Sequence, residues 1–247
     1  MRIFNLHAEI CCVDEPFNHD YGSVYTGRVA DIQSLNRVLA EVWQTYNSIK
    51  HVVDLSGWPF KKVELNRNLL LNPSHSLILL TRRNRLRRVI SAEIALQTGV
   101  WHPWSEEDRN RSRLFKYSPI PTTLLRARLD AEARFLEDVN SDFRIRAGRS
   151  FTLDYEDLFG VARNQTITIV NEMLAFLQLD TFQSDTFSEI LEILDLRTSV
   201  TASDSPNLYR LILNIEQIEA ELGSAENGWL FKDPECRESE NLAQEGL

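Results

Sequence analysis

In "ADIQSLNRVLAEVWQTY" (Ala30 to Tyr46) apolar residues stand at Ile32, Leu35, Val38, Leu39, Val42 and Trp43. That spacing puts one stripe along a helix. "HVVDL" (His51 to Leu55) is short and β-branched, runs into the turn-forming "SGWPF", and is predicted as a strand. "SLILLT" (Ser76 to Thr81) is apolar without alternation, the pattern of a strand covered on both faces. Helical spacing returns from Arg85 to Gln97 through Leu86, Ile90 and Ile94, beside Val89. Further helices are predicted over Thr123 to Val139, Gln165 to Leu177, Thr186 to Leu194 and Asn207 to Leu222. "RSFTLDYEDL" (Arg149 to Leu158) alternates Phe151, Leu153 and Tyr155 and predicts a strand followed by a turn. Strands separated by helices imply an α/β fold with a mainly parallel sheet flanked by helices. No internal repeat or low-complexity linker interrupts the pattern.

Composition narrows the class. A chain of 247 residues with 43% hydrophobic and 26% charged residues fits one sizeable globular domain. Its net charge of -9 argues against general nucleic-acid binding, which depends on neutralising many phosphates. Cys11, Cys12 and Cys236 form no disulfide or metal-ligand spacing, so a reducing, cytoplasmic setting is the expectation, with no metal. No apolar run nears the roughly 18 residues a membrane span needs. The first residues lack the apolar core and small-residue cleavage site of a signal peptide. No integral membrane segment is expected.

Against that acidic background, Arg82, Arg83, Arg85, Arg87 and Arg88 fall within seven consecutive positions. The predicted map sets Arg82 and Arg83 just past the carboxyl end of a buried strand, at the start of a helix. Ligands of open α/β sheets bind beyond the strand ends, and a helix N-terminus favours an anion. Guanidinium adds a planar fork suited to phosphate oxygens. A basic face that is solvated or pairs with nearby acids accounts for the same residues equally well. On physical grounds both readings stay open.

The segment "RNRLRRVIS" (Arg83 to Ser91), with its preceding strand, resembles the 3'-phosphate-binding segment of sulfotransferases. These enzymes use 3'-phosphoadenosine 5'-phosphosulfate (PAPS). "HAEICCVDEPFN" (His7 to Asn18) and "LDYEDL" (Leu153 to Leu158) are similar to segments of bacterial carbohydrate and nodulation-type members. In order and spacing the resemblance spans about Leu6 to Phe231. It implies a P-loop-NTPase-like parallel sheet over residues 1–231; the polar, net-negative composition of 232–247 separately predicts a disordered acidic tail. It implies that Arg83 and Ser91 grip the 3'-phosphate of PAPS, the co-substrate, and that no metal is needed. The resemblance also implies an acceptor hydroxyl on a carbohydrate or small molecule. The catalytic base of the resemblance falls on Glu15, with Asp14 as the neighbouring alternative. Glu15 as a solvated turn residue before Pro16 is the competing reading. The resemblance assigns Arg85, Arg87 and Arg88 only a favourable field.

The family's loop for the 5'-phosphosulfate lies tens of residues before the "EPFN" segment. Here only 14 residues precede Glu15, so the first strand and loop are expected to be missing. Either the start is displaced, or the chain is a degenerate member that binds nucleotide without transferring sulfonate. "GSVYTGRV" (Gly22 to Val29) has the glycine spacing of a phosphate loop, but no apolar strand leads into it. It reads instead as a surface loop ahead of the first helix. His7, His19, His51, His75 and His102 show no paired spacing and are assigned no catalytic role. Trp101, His102, Pro103 and Trp104 either line an acceptor pocket or pack a helix end on the core. Tyr155, Glu156 and Asp157 are expected to organise the turn after their strand.

Overall fold

The computed structural model describes residues 3–19, 22–54, 56–101, 105–145, 149–159, 163–194 and 206–231. Leu55, His102, Pro103, Trp104, Cys236 and the tail at 232–247 lie outside them. In chain order the elements are β1 (Cys12–Asp14), α1 (Ile32–Val42), β2 (Ser48–Lys50), α2 (Val63–Leu71), β3 (Leu77–Thr81) and α3 (Arg85–Thr98). There follow α4 (Glu106–Leu114), α5 (Thr122–Ile145), β4 (Ser150–Asp154), α6 (Tyr155–Phe159), α7 (Arg163–Phe176) and α8 (Phe187–Leu194), then α9 (Pro206–Tyr209) and α10 (Ile215–Leu222). The fold is mixed α/β. Among the described residues its strands form two small parallel sheets, β1 with β2 and β3 with β4.

The chain divides into two compact units, each assembled from three stretches. The first holds Met1–Leu79, Phe135–Phe151 and Val170–Ile193, and the second holds the remainder.

In the first unit, β1 and β2 pair in register Cys12↔Ser48, Val13↔Ile49 and Asp14↔Lys50. Glu15 N–H extends the ladder to the Lys50 carbonyl at 3.0 Å. The apolar stripe of α1 buries Leu35, Val38, Leu39 and Val42 with Phe17, Leu65 and Leu69. Ile32 and Trp43, at the two ends of that stripe, are exposed instead. A capping box at Asp31 and Ser34 starts the helix, supplying two of the acceptors its first turn lacks.

The second unit has the larger core, in which Leu86, Val89, Ile90 and Ile94 of α3 meet Leu125 and Leu129 of α5. Tyr209, Ile212, Ile215, Ile218 and Leu222 close it. Asn84 caps α3 by accepting from Arg87 N–H at 3.0 Å, and Gly99 ends the helix in the left-handed conformation at φ 72°.

Three expectations need correction. The strand expected over His51 to Leu55 is three residues earlier, at Ser48–Lys50, because its register is set by pairing with β1. The helix expected from Asn207 to Leu222 is broken between Tyr209 and Ile215, where the Asn214 side chain bonds the Ile120 backbone on both sides, N–H at 2.9 Å and C=O at 2.8 Å. The turn after β4 is the short helix α6. Among the described residues, no helix is long and apolar enough to cross a membrane.

Candidate functional site

The strand–arginine–helix order is present: β3 ends at Thr81, and Arg82, Arg83 and Asn84 lead directly into α3. The surroundings of those arginines are acidic. Arg83 Nη2 donates to Asp157 Oδ1 at 2.6 Å, and its Nε lies 3.6 Å from Asp154 Oδ2. Arg82 Nε is 3.8 Å from Glu156 Oε1, and its guanidinium lies over the Tyr155 ring, 5.1 Å from the centroid. Glu156 also faces the backbone: its two oxygens accept from Arg83 N–H at 3.0 Å and Asn84 N–H at 3.1 Å. A carboxylate thus occupies the amides just before α3, where the helix dipole favours negative charge. Asp154 is fixed in turn by the Thr81 hydroxyl at 2.5 Å.

The remaining arginines are tied to protein acceptors as well. Arg85 donates to Leu129 C=O at 2.5 Å and reaches Glu226 at 3.3 Å. Arg87 donates to Leu230 C=O at 2.9 Å, and Arg88 makes two bonds to Glu132 Oε2, at 3.1 and 2.5 Å. Acids thus pair with Arg82, Arg83, Arg85 and Arg88, as the reading of a basic face matched to nearby acids expects. Arg82 and Arg85 keep only 16% and 13% of their side-chain surface, while Arg83 keeps 48%. Arg83 is the guanidinium of these three most open to a ligand.

Ser91 lies two turns into α3, half-buried, with its hydroxyl 3.2 Å from that of buried Tyr209. It shares a helix face with Asn84 and Arg87. That face meets the C-terminal segment: Asn84 Nδ2 donates to Trp229 C=O at 2.8 Å, and Leu86 N–H to Asn227 C=O at 2.7 Å. Gly228, at φ 81°, allows this approach, since a Cβ there would lie 2.5 Å from Asn84 Cγ. Arg83 and Ser91 therefore turn to different neighbours, Arg83 to the acids after β4 and Ser91 to Tyr209.

Glu15 belongs to the first unit and is not the solvated turn residue of the competing reading. It is 5% exposed, and Lys50 Nζ and Asn18 Nδ2 each donate to one of its oxygens at 2.6 Å. Its φ of 44° is uncommon for a residue with a side chain, and these two bonds hold it there. Lys50 also reaches Asp14 at 3.1 Å. Burial pushes the Lys50 pKa down, but the bond and charge of Glu15, with those of Asp14, leave it above its ordinary value. Parallel pairing explains the cluster, because β1 and β2 end side by side and deliver Asp14–Glu15 and Lys50–His51 to the same edge.

His51, without a role assigned from sequence, sits in strongly perturbing surroundings. Its ring packs against Phe17 and Phe60, with centroids 6.0 and 5.5 Å away. Nε2 lies 2.7 Å from Asn66 Oδ1, while Asn66 Nδ2 donates to Gly57 C=O and Trp58 C=O. The Asn66 oxygen is thus the acceptor, and Nε2 carries the proton. Burial lowers the His51 pKa to about 4, against smaller raising effects of Asn66 and Glu15.

An open recess of about 420 Å³ in the first unit is lined by Asn36, Glu64, Arg67, Asn68, Leu71, Asn72 and Pro73. It includes none of the predicted site residues. Among the described residues, no group of three or more His, Cys, Asp or Glu is arranged to hold a metal ion. No protein-family model, curated protein or solved structure matches the chain.

Proposed function

We propose that the chain is a sulfotransferase-type protein on a P-loop-like α/β framework. Arg83 and Ser91 hold the 3'-phosphate of PAPS, and an acceptor hydroxyl of a carbohydrate or small alcohol is the sulfonate's destination. The observation that carries this reading is the passage from β3 through Arg82 and half-exposed Arg83 straight into α3, with Ser91 two turns on. In the transfer, the acceptor oxygen bonds to sulfur as the bond to the 5'-phosphate oxygen breaks. The leaving phosphate takes that electron pair, and the acceptor proton passes to a base. Glu15 is the base in this reading. Its partners Lys50 and Asn18 orient the carboxylate, and one oxygen must give up its present bond to take the proton.

A second reading, a nucleotide-binding or interaction protein without transfer, is favoured by one observation. Glu156 sits on the amides before α3 that an anionic ligand would use. Calorimetry with 3'-phosphoadenosine 5'-phosphate tests the nucleotide binding that the first reading shares with the nucleotide-binding form of the second. Wild type binds, and Arg83→Ala and Ser91→Ala each weaken binding by about tenfold or more, as expected for lost charged hydrogen bonds. Absence of binding to wild type removes the assignment. Transfer of labelled sulfonate to a panel of sugars and alcohols, lost in Glu15→Gln, separates transferase from binder.

A further inference from the structure

Asp154, Glu156 and Asp157 surround Arg82 and Arg83, so three carboxylates face two guanidinium groups. A phosphate approaching Arg82 and Arg83 therefore competes with three carboxylates already engaged there. The most direct obstacle is Glu156. Its carboxylate makes with Arg83 N–H and Asn84 N–H the pair of bonds that a phosphate would make. Asp157 competes for the Arg83 side chain itself.

Resting on the anion-site reading above, we infer that Glu156 is an internal counter-anion closing the arginine site, and that a phosphomonoester enters by displacing it. The residue is suited to this. It lies on α6, which runs only from Tyr155 to Phe159, and its displacement leaves the α3 cap at Asn84 Oδ1 in place. Ligand binding then requires α6 to shift or the Glu156 side chain to swing away. Apparent affinity is reduced by the free energy of breaking the internal contacts. Arg83, freed from Asp157, turns to the ligand in the same step.

The test is calorimetry with 3'-phosphoadenosine 5'-phosphate, and thermal unfolding with added sodium sulfate, on wild type, Glu156→Gln and Asp157→Asn. Glutamine keeps one acceptor for the two amides and removes the charge. Asp157→Asn touches only a partly exposed ion pair, so it remains readable if the first variant folds poorly. The expected result is nucleotide binding about tenfold tighter in Glu156→Gln than in wild type, from removal of one nearby like charge. A smaller gain is expected in Asp157→Asn, with both gains lost on adding Arg83→Ala. Unchanged or weaker anion binding in both variants overturns the inference. If sulfate stabilises Glu156→Gln more than wild type while neither binds the nucleotide, the counter-anion role stands and the PAPS reading falls.

Discussion

Glu15 and Glu156 are both carboxylates with two engaged oxygens, and they are held in different ways. Glu15 is almost wholly buried and fixed by one amine and one amide on neighbouring segments. Glu156 is held by two backbone N–H groups and a more distant guanidinium. Removing a partner of the first strands a charge out of water, the expensive kind of loss. Acids around Arg83 share their partners and keep some solvent, so each tie there contributes little to stability. The difference separates a buried cluster whose partners are costly to remove from a more exposed one whose ties are individually weak.

The largest predicted effect is on the first cluster. Lys50→Met should lower unfolding free energy by about 3 kcal/mol, the lower end of the range for breaking a buried pair, since Lys50 is partly exposed. Adding Glu15→Gln should recover most of that loss in urea denaturation. A loss below about 1 kcal/mol for the single change would place Glu15 among ordinary surface acids.

His51 extends the contrast to pH. Its folded pKa of about 4 lies below the ordinary 6.5, so the unfolded chain takes up the proton first. Stability is therefore complete above pH 6.5 and falls as pH drops toward 4, by at most about 3 kcal/mol. Denaturation midpoints across that window should show the slope in wild type and much less of it in His51→Gln.

Gly228→Ala should cost about 2 kcal/mol, because the new Cβ meets Asn84 and the residue has positive φ. Its signature is lowered amide protection at the start of α3, with the first unit unaffected. The smallest effect is expected for Arg88→Gln, which breaks a pair with Glu132 whose members keep 31% and 21% of their side-chain surface. Under about 1 kcal/mol is predicted. A cost as large as that of Lys50→Met would erase the distinction between the two regions.

What the sequence made legible follows where the physics is local. The apolar stripe of α1 and the period of α3 survive in the structure, with boundaries within a few residues. So does the position of Arg83 between strand and helix. The run of β3 is a strand but not one covered on both faces, since none of its residues is buried and Leu80 is 51% exposed; its one described partner is β4. No expectation from sequence covers α2, α4 or β1; the last two lack such a signal, and β2 is displaced from its expected place. Helix α4, "EEDRNRSRL", has almost no apolar residue; its helix is marked by the Ser105–Asp108 capping box and by acids in the first turn and arginines in the last. Strands β1 and β2 are three residues each and exist through their pairing with one another. The candidate site divides the same way. Charge at positions 82 to 88 could be read directly, whereas the acids that pair with it arrive from 44 to 141 residues later in the chain. Likewise nothing in "KHVV" (Lys50 to Val53) announces that the His51 ring will pack against Phe17 and Phe60.

The contact between Asn84 and Trp229 joins residues 145 positions apart. Leu86, Arg87 and Ser91 likewise take partners from the stretch between Tyr209 and Leu230. During synthesis, α3 can coil as soon as it leaves the ribosome, but its front end stays undressed until Leu230 has followed. The acids that tie Arg82 and Arg83 precede that stretch, at 154 to 157. Arg85 and Arg87 gain their contacts with Glu226 and Leu230 only after it has been made. A nascent chain stalled before residue 223 should present these two arginines without the loop that aligns them.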